Sequence, residues 1–153
     1  MSKREEMESV IRRYFEGCNE GSIDKVASCC SPDAVHYFPP GMYGGAFVGG
    51  RTIGERWSAA VAQLGSQWAL ERVVIDVDAN SAVAEWTHYK TKQGTVLRGD
   101  EWYEFDESTG LISEIRAYYA SPQARDLERL ELEGFDYAGR GYSVEPEARE
   151  SDR

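Results

Sequence analysis

The sequence predicts an α+β fold in which a curved, mixed or antiparallel sheet wraps around three N-terminal helices to form a cone with one open end. Two observations support this fold class. Amphipathic helical patterns occupy the first part of the chain, and three adjacent segments with strand-like alternation follow at 82–92, 95–106 and 111–119. A sheet curved around helices leaves a cavity against its concave face, which is the usual place for a small-molecule site.

Three helices are expected in the first part of the chain. Apolar residues recur at helical spacing over residues 4–18, before a glycine ends that helix. Ser22 is placed to cap a short second helix over Ile23–Cys30, and Thr52 is placed to cap a third helix that continues to about Leu64.

The strands follow these helices, apart from a short strand at Ala34–Phe38. A strand over Gln67–Val77 leads into the three central strands, and Gln93-Gly94 is typical of a two-residue hairpin turn between the first two of them. The segment Pro39–Gly50 holds two prolines and five glycines around aromatic residues, which predicts a loop that covers a cavity.

The last part of the chain is predicted to add a C-terminal helix and a tail. A Ser-Pro pair starts this helix, which covers about 121–133. Residues 135–142 are aromatic and irregular, and we expect them to pack over the pocket mouth or against a partner subunit. We expect one domain over 1–144 and a disordered acidic tail over 145–153, since the tail has no apolar anchor.

The composition argues against several classes of protein. Lys plus Arg is 17 and Asp plus Glu is 27, so the net charge is −10 and neither nucleic acid nor an anionic membrane is an expected partner. No apolar run reaches the roughly 20 residues of a membrane span, and the charged start predicts no secretory signal. The odd cysteine count, with two adjacent, indicates a reducing cytoplasm rather than a disulfide framework. No cofactor is expected, because the chain has neither metal-ligand spacing nor a Gly-x-Gly-x-x-Gly motif.

A charge on the apolar face of the middle central strand is the most informative feature of the sequence. Glu101 shares that face with Leu97, Gly99, Tyr103 and Phe105 and is its only charged residue. A two-residue turn would pair Lys92 with Thr95, which places Trp86 opposite Glu101 and His88 opposite Gly99. A carboxyl group and an imidazole would then share an aromatic surface, and a one-residue slip would put Asp100 in place of Glu101.

Several short segments within residues 5–120 carry a family resemblance. They are Arg13-Tyr14, Cys18–Asp24, Ser31–Val35, Gly49–Ile53, Phe105–Glu107 with Gly110–Ile112, and Arg116–Tyr119. Together they resemble the SnoaL-like and ketosteroid-isomerase-like proteins, which share the fold of nuclear transport factor 2. The resemblance implies that fold, whose members include isomerases, cyclases, dehydratases, epoxide hydrolases and binding proteins.

The resemblance carries over to single positions only in part. Tyr14 matches the tyrosine that donates to the substrate oxyanion in ketosteroid isomerases, and Glu101 falls at the position of their protonated pocket aspartate. Phe38 stands where those enzymes have the general-base aspartate and cannot take a proton, so steroid isomerisation by that mechanism is disfavoured. His88 and Glu101 also resemble the histidine and carboxylate on neighbouring strands of SnoaL-like cyclases, with Glu in place of Asp.

These observations define the candidate site. The predicted catalytic residues are Glu101, His88, Tyr14 and His36. Each has a structural alternative: Glu101 could pair with Arg98 or Arg116 or face a dimer interface, the histidines could bond to backbone or face solvent, and the tyrosine could be a core residue. The predicted ligand-pocket residues are Phe38, Trp57, Trp86, Tyr103, Ile115 and Tyr119.

Three functions stay open. The first is a cofactor-independent enzyme that transfers protons on a small apolar, carbonyl-bearing or cyclic molecule, as an isomerase, lyase or cyclase. The second is hydrolysis, such as epoxide opening by water held by Arg98, Asp100 and a tyrosine. The third is a non-catalytic ligand-binding or interaction module. The face of the sheet that is predicted to be exposed carries Val96, Trp102 and Tyr118, which also predicts a homodimer surface.

Overall fold

The computed structural model describes residues 1–121, 131–142 and 144–146, which contain three helices and six strands in the expected α+β arrangement. The helices are α1 (Lys3–Glu20), α2 (Ile23–Ser28) and α3 (Gly50–Leu64). The strands are β1 (Cys30–Tyr37), β2 (Phe47–Val48), β3 (Ser66–Asp76), β4 (Ser81–Lys90), β5 (Thr95–Phe105) and β6 (Ile112–Tyr118). They form one curved, unclosed sheet in the order β2-β1-β6-β5-β4-β3, in which β1 and β6 are parallel and the other neighbours antiparallel.

Helix α1 is fixed at both ends by its own sequence. The Ser2 hydroxyl accepts from the backbone N–H of Glu5, and the Glu5 carboxylate accepts in return from the backbone N–H of Ser2. Gly21 ends the helix with a φ of 65°, a left-handed conformation that a glycine adopts without strain. The apolar stripe between these caps is buried against the rest of the fold and comprises Met7, Ile11, Tyr14, Phe15 and Cys18.

The region around β1 differs from the prediction in three ways. Helix α2 ends at Ser28, so β1 begins at Cys30 rather than Ala34 and pairs there with Ile112 of β6. The segment expected to be only a loop contains β2, which pairs with β1. Helix α3 begins at Gly50 and has no side-chain cap, so the expected Thr52 cap is wrong. Long-range pairing with β6 extends β1, and local residue preferences do not reveal such pairing.

The β4–β5 turn also differs from the prediction. Lys90 pairs with Thr95, so the turn is Thr91–Gly94 and the register is displaced by two residues from the expected one. The backbone N–H of Lys92 donates to Leu64, and the Thr91 hydroxyl donates to Gly65. These contacts with the end of α3 draw the turn residues away from the ladder.

A displacement of two residues keeps every side chain on its predicted face, since the strand period is two. Glu101 now lies opposite Ala84, Trp86 opposite Gly99 and His88 opposite Leu97. A register shift between Glu104 and Phe105 in the β5–β6 pair turns Ile112 inward, where it is fully buried.

The described C-terminal segment, 131–142, packs on β1 and β6. The ring of Phe135 meets Tyr37 edge to face at 5.2 Å, and the guanidinium of Arg140 lies 4.2 Å from the Phe135 ring centroid. Arg140 and Arg116 both bind the Glu114 carboxylate. The expected helix over 121–133 and the expected tail fall mostly outside the described residues, at 122–130 and 147–153. None of the described helices has the length and apolar content that a membrane crossing requires.

Candidate functional site

An aromatic cavity lies between the helices and the concave face of the sheet. Its volume is about 20 Å³, which is room for roughly one water molecule. Among the described residues, Glu101 is the only carboxyl group in its lining. The lining comprises Tyr14, Phe15, Cys18, His36, Phe38, Tyr43, Trp57, Trp68, Trp86, His88, Glu101, Ala117 and Tyr119.

Glu101 is buried, with 5% of its surface exposed. Its Oε1 accepts a hydrogen bond of 2.6 Å from the Tyr103 hydroxyl, and its Oε2 lies 3.3 Å from Nε2 of His36. The two arginines considered as partners are engaged elsewhere. Arg116 binds Glu104 and Glu114, and Arg98 donates to the Thr87 hydroxyl.

The strand order brings Glu101 and His36 together. Strand β6 lies between β1 and β5, and Glu101 is paired with Ala117 while His36 is paired with Ile115. The methyl group of Ala117 is small, so the two longer side chains can meet across β6. The two residues are 65 positions apart in the chain, so no local pattern indicates this contact.

His36 is 1% exposed and is held on two sides. Its ring stacks on Phe38 with centroids 4.1 Å apart and an interplanar angle of 9°. Its Nδ1 lies 3.3 Å from the backbone carbonyl oxygen of Tyr37. A proton on Nδ1 would be donated to that carbonyl, and Nε2 would then face Glu101 and could exchange a proton with it.

His88 lies in the same cavity with different partners. Its Nε2 is 2.8 Å from the Ser66 hydroxyl, and its ring stacks on Trp68 at 4.4 Å. Burial, together with the nearby charge of Lys90, lowers the pKa of His88 to about 3, so the ring is neutral near pH 7. Among the described residues, no hydrogen bond joins His88 to Glu101, which contacts His36 instead.

Tyr14 presents its hydroxyl group to the cavity side of α1. The indole N–H of Trp57 donates to the Tyr14 oxygen over 2.8 Å. Burial raises the pKa of Tyr14 well above its ordinary value, so the group keeps its proton. An accepted bond from Trp57 polarises the hydroxyl, whose own proton can be donated and has the Cys18 sulfur as a neighbouring side-chain partner.

Four of the six predicted pocket residues line the cavity: Phe38, Trp57, Trp86 and Tyr119. Tyr103 and Ile115 are fully buried and lie outside the lining, although Tyr103 binds Glu101. Sequence reasoning did not assign five residues to the pocket: Phe15, Cys18, Tyr43, Trp68 and Ala117. The alternation of side chains along a strand indicates that Trp68, which pairs with His88, faces the cavity. The helical spacing from Tyr14 indicates the same for Cys18.

Tyr43 covers part of the cavity from the segment between β1 and β2. Its ring meets Phe38 at 4.8 Å and Trp57 at 5.4 Å, and Arg56 donates to its backbone carbonyl. Its φ of 53° is unusual for a residue with a side chain. A ligand larger than about one water molecule can enter only if such rings move.

Arg98 and Asp100 do share one strand face, but it is the outer one. They line an open groove of about 410 Å³ with Glu71, Glu85 and Thr87, and the groove also borders Gly99 and Trp86, of which Trp86 lines the cavity too. Burial, then repulsion from Glu101 and Glu85, raises the pKa of Asp100. No tyrosine lines this groove among the described residues.

The described part of the chain also contains no group of three or more His, Cys, Asp or Glu that could hold a metal ion.

Comparison with known proteins identifies the family. Residues 11–115 match the model of the SnoaL-like domain. The chain belongs to the SnoaL-like domain family. Its fold is the nuclear transport factor 2-like fold that the sequence resemblance implied.

Solved structures are similar to this chain as well. A protein of unknown function with a cystatin-like fold from Methylobium petroleophilum PM1 is 56% identical, with a TM-score of 0.91 over 95% of this chain and 96% of its own. A putative polyketide cyclase from Silicibacter sp. TM1040 is 26% identical, with a TM-score of 0.56 over 74% of this chain and 88% of its own. An LEH-like epoxide hydrolase from M. tuberculosis is 17% identical, with a TM-score of 0.64 over 78% and 82%, which shows the shared fold alone. None of the curated proteins matches this chain.

Proposed function

We propose that this SnoaL-like protein is a cofactor-independent enzyme that moves a proton on an apolar, carbonyl-bearing or cyclic molecule bound in the aromatic cavity. The reaction is an isomerisation, an elimination or a cyclisation. The observation that supports this most is the buried carboxyl group of Glu101, which faces His36 and lacks an arginine partner among the described residues. A buried carboxyl group without a compensating cation lowers stability, and such groups concentrate at functional sites.

The proposed roles follow from the contacts. Glu101 takes a proton from the carbon next to the substrate carbonyl, so the C–H bond breaks, an O–H bond forms, and the electron pair moves to the carbonyl oxygen. Tyr14 donates a hydrogen bond to that oxygen. Tyr103 holds the Glu101 carboxyl group in position through its 2.6 Å bond. His36 receives the proton from Glu101 or returns it.

The three reaction types differ in the fate of the enolate. Return of the proton to a different carbon completes an isomerisation. Departure of a leaving group completes an elimination, and attack of the enolate carbon on a second carbonyl group forms a ring. The aromatic walls stack against a flat or cyclic substrate in each of the three reactions.

Exchange of protons for deuterium tests the proposal. We would incubate 1-indanone, 2-tetralone and cyclohexanone with the protein in D₂O and follow loss of the α-proton signals by NMR. We expect Glu101→Gln to lower the exchange rate by about 100-fold or more, as is typical for loss of a general base. Glu107→Gln, the same change in an exposed turn, is the matched control. Exchange that is equally fast in Glu101→Gln contradicts the proposal, and ligand binding without any exchange favours the non-catalytic alternative.

Hydrolysis is the second candidate, and it is placed in the cavity rather than on the outer groove. The cavity volume of about 20 Å³ favours a bound water that Glu101 and His36 could activate. Incubation of indene oxide in H₂¹⁸O separates the candidates, because hydrolysis places the heavy oxygen in the diol. An isomerase or lyase leaves the label in the solvent.

We also propose that the outer face of the sheet binds a second copy of the chain. Val74, Val83 and Trp102 are cross-strand neighbours on β3, β4 and β5, and Val74 and Trp102 are 47% and 40% exposed. Tyr118, which was expected on this surface, is half-buried beside Tyr137 instead. Sedimentation at micromolar concentration should show a dimer that Trp102→Glu dissociates, and a wild-type monomer contradicts the interface.

The buried, unpaired cysteines fit a cytoplasmic location.

A further inference from the structure

The indole N–H of Trp86 is a buried hydrogen-bond donor with no partner among the described residues. Trp86 is 5% exposed and belongs to the cavity lining. Buried donors nearly always have a partner, because burial without one forfeits the hydrogen bond that water would supply. An unpaired donor in the wall of a candidate site therefore needs an explanation.

Several other polar groups of the cavity have hydrogen-bond partners within the protein. Glu101 binds Tyr103 and lies beside His36, His88 binds Ser66, and the Trp57 indole donates to Tyr14. Considering the described residues, Trp86 Nε1 is the only buried side-chain nitrogen or oxygen of the lining without a hydrogen-bond partner. Pairing within the protein thus accounts for Glu101, His88 and the Trp57 indole and leaves the Trp86 indole N–H without a partner among the described residues.

The sheet holds Trp86 beside the acid. Trp86 pairs with Gly99, and the adjacent inward-facing pair is Ala84 with Glu101, so Trp86 is the diagonal neighbour of Glu101. Gly99 leaves room for the ring, since a Cβ atom there would lie 3.1 Å from Trp86 Cζ2 and 2.8 Å from the Tyr118 carbonyl oxygen. Tyr119 meets the indole ring at 5.5 Å, nearly perpendicular. The indole ring therefore has a fixed place next to the proposed catalytic carboxyl group.

We propose that Trp86 donates a hydrogen bond from Nε1 to an oxygen of the substrate and so fixes which carbon faces Glu101. This inference rests on the proposed function and deepens it. The indole N–H donates and cannot accept, so it selects ligands that carry an acceptor oxygen, such as a ketone or its enolate. A hydrocarbon of the same shape would leave the donor unpaired, and the site discriminates against such a ligand.

The test uses 1-indanone and indane, which share a carbon skeleton and differ in the carbonyl oxygen. The indole ¹H–¹⁵N resonance of Trp86, assigned by its loss in Trp86→Phe, is followed during titration with each compound. We expect 1-indanone to move the indole proton farther downfield than indane does, because both compounds carry an aromatic ring but only the ketone accepts a hydrogen bond. We also expect the wild-type preference for 1-indanone to fall roughly 3- to 10-fold in Trp86→Phe. Trp102→Phe, the same change on the outer face, is the control and should keep the preference.

The outcomes separate this inference from the proposed function. If 1-indanone binds and exchanges its α-protons but moves the Trp86 indole proton no farther downfield than indane does, the inference is wrong and the proposed function stands. If 1-indanone causes the larger downfield shift but Glu101→Gln exchanges normally, the Trp86 donor stands and the proposed acid–base role is wrong. If neither compound binds at millimolar concentration, both fail. The wild-type resonance decides the question even if Trp86→Phe does not fold.

Discussion

The two histidines of the cavity are almost equally buried, yet they lie in opposite chemical settings. His36 faces a carboxyl group, with its Nε2 3.3 Å from Glu101 Oε2. His88 faces a serine hydroxyl at 2.8 Å and a tryptophan face. The first setting joins the imidazole to a carboxyl group, whereas in the described part of the chain no carboxyl group bonds to His88.

This contrast indicates that the partner, and not the residue type or its burial, assigns the role. Burial alone disfavours the charged imidazole, as it does for His88. A neighbouring carboxyl group gives a buried histidine a partner for proton exchange, because the pair can exchange a proton without creating an unpaired charge. We therefore propose acid–base chemistry at the Glu101–His36 end of the cavity and a structural role at the Ser66–His88 end.

Replacing the two histidines one at a time is expected to give the largest difference in the rate of α-proton exchange. His36→Gln should slow α-proton exchange of 1-indanone by about 100-fold, since the Glu101 carboxyl group loses its proton partner. His88→Gln should slow it by less than about 10-fold, since no transferred proton passes through that group. NMR exchange rates in D₂O measure both. Equal losses in the two variants would erase the proposed distinction.

The pH dependence of stability tests the setting of His88. The pKa of His88 is about 3 in the folded protein and about 6.5 in an unfolded chain. The unfolded state therefore binds the extra proton as the pH falls below 6.5, so stability is complete above that pH and is lost on acidification. We expect about 2 kcal/mol of this loss between pH 7 and pH 5. Urea unfolding should show it in the wild type, and His88→Gln should lose less; identical pH profiles would contradict the assignment.

Tyr103→Phe tests the support of the acid. The change removes the donor that holds Glu101 Oε1 and should lower the exchange rate by about 10-fold, the equivalent of one hydrogen bond of about 1.4 kcal/mol. The affinity for 1-indanone should stay within about twofold, because Tyr103 lies outside the cavity lining. A loss of affinity at an unchanged rate would mean that Tyr103 binds the ligand rather than positions the acid.

Ser66→Ala should change the protein least. It leaves the buried Nε2 of His88 without its partner and should lower the free energy of unfolding by about 1 kcal/mol. The exchange rate should not change, which is the sign of a structural role. A slower exchange with unchanged stability would instead place His88 in the reaction.

Much of this fold could be predicted from the sequence, because it depends on helical spacing, strand alternation and helix caps. The helical stripe of α1 and the strand alternation around Glu101 predicted which side chains face inward, and the family segments predicted the fold. The β4–β5 register was wrong by two residues because contacts with the end of α3 widen the turn. That error kept the faces but misplaced the neighbours of Glu101.

The Glu101–His36 contact could not be predicted from local pattern. It depends on β6 lying between β1 and β5, on the parallel pairing of β1 with β6, and on the small side chain of Ala117. Strand alternation placed His88 and Glu101 on one surface and left His36 as a candidate on a separate strand, which is a list of candidates rather than a set of contacts. The sequence-based pairing of His88 with Glu101 followed from proximity along a hairpin, whereas the observed contact joins strands distant in the chain.

A double-mutant cycle measures whether Glu101 and His36 act as one unit. The α-proton exchange of 1-indanone would be measured for wild type, Glu101→Gln, His36→Gln and the double variant, with far-UV circular dichroism as the check on folding. Groups that act together are strongly non-additive, so the double variant should be about as slow as Glu101→Gln alone. A double variant whose loss is the product of the two single losses would mean that the two side chains act independently.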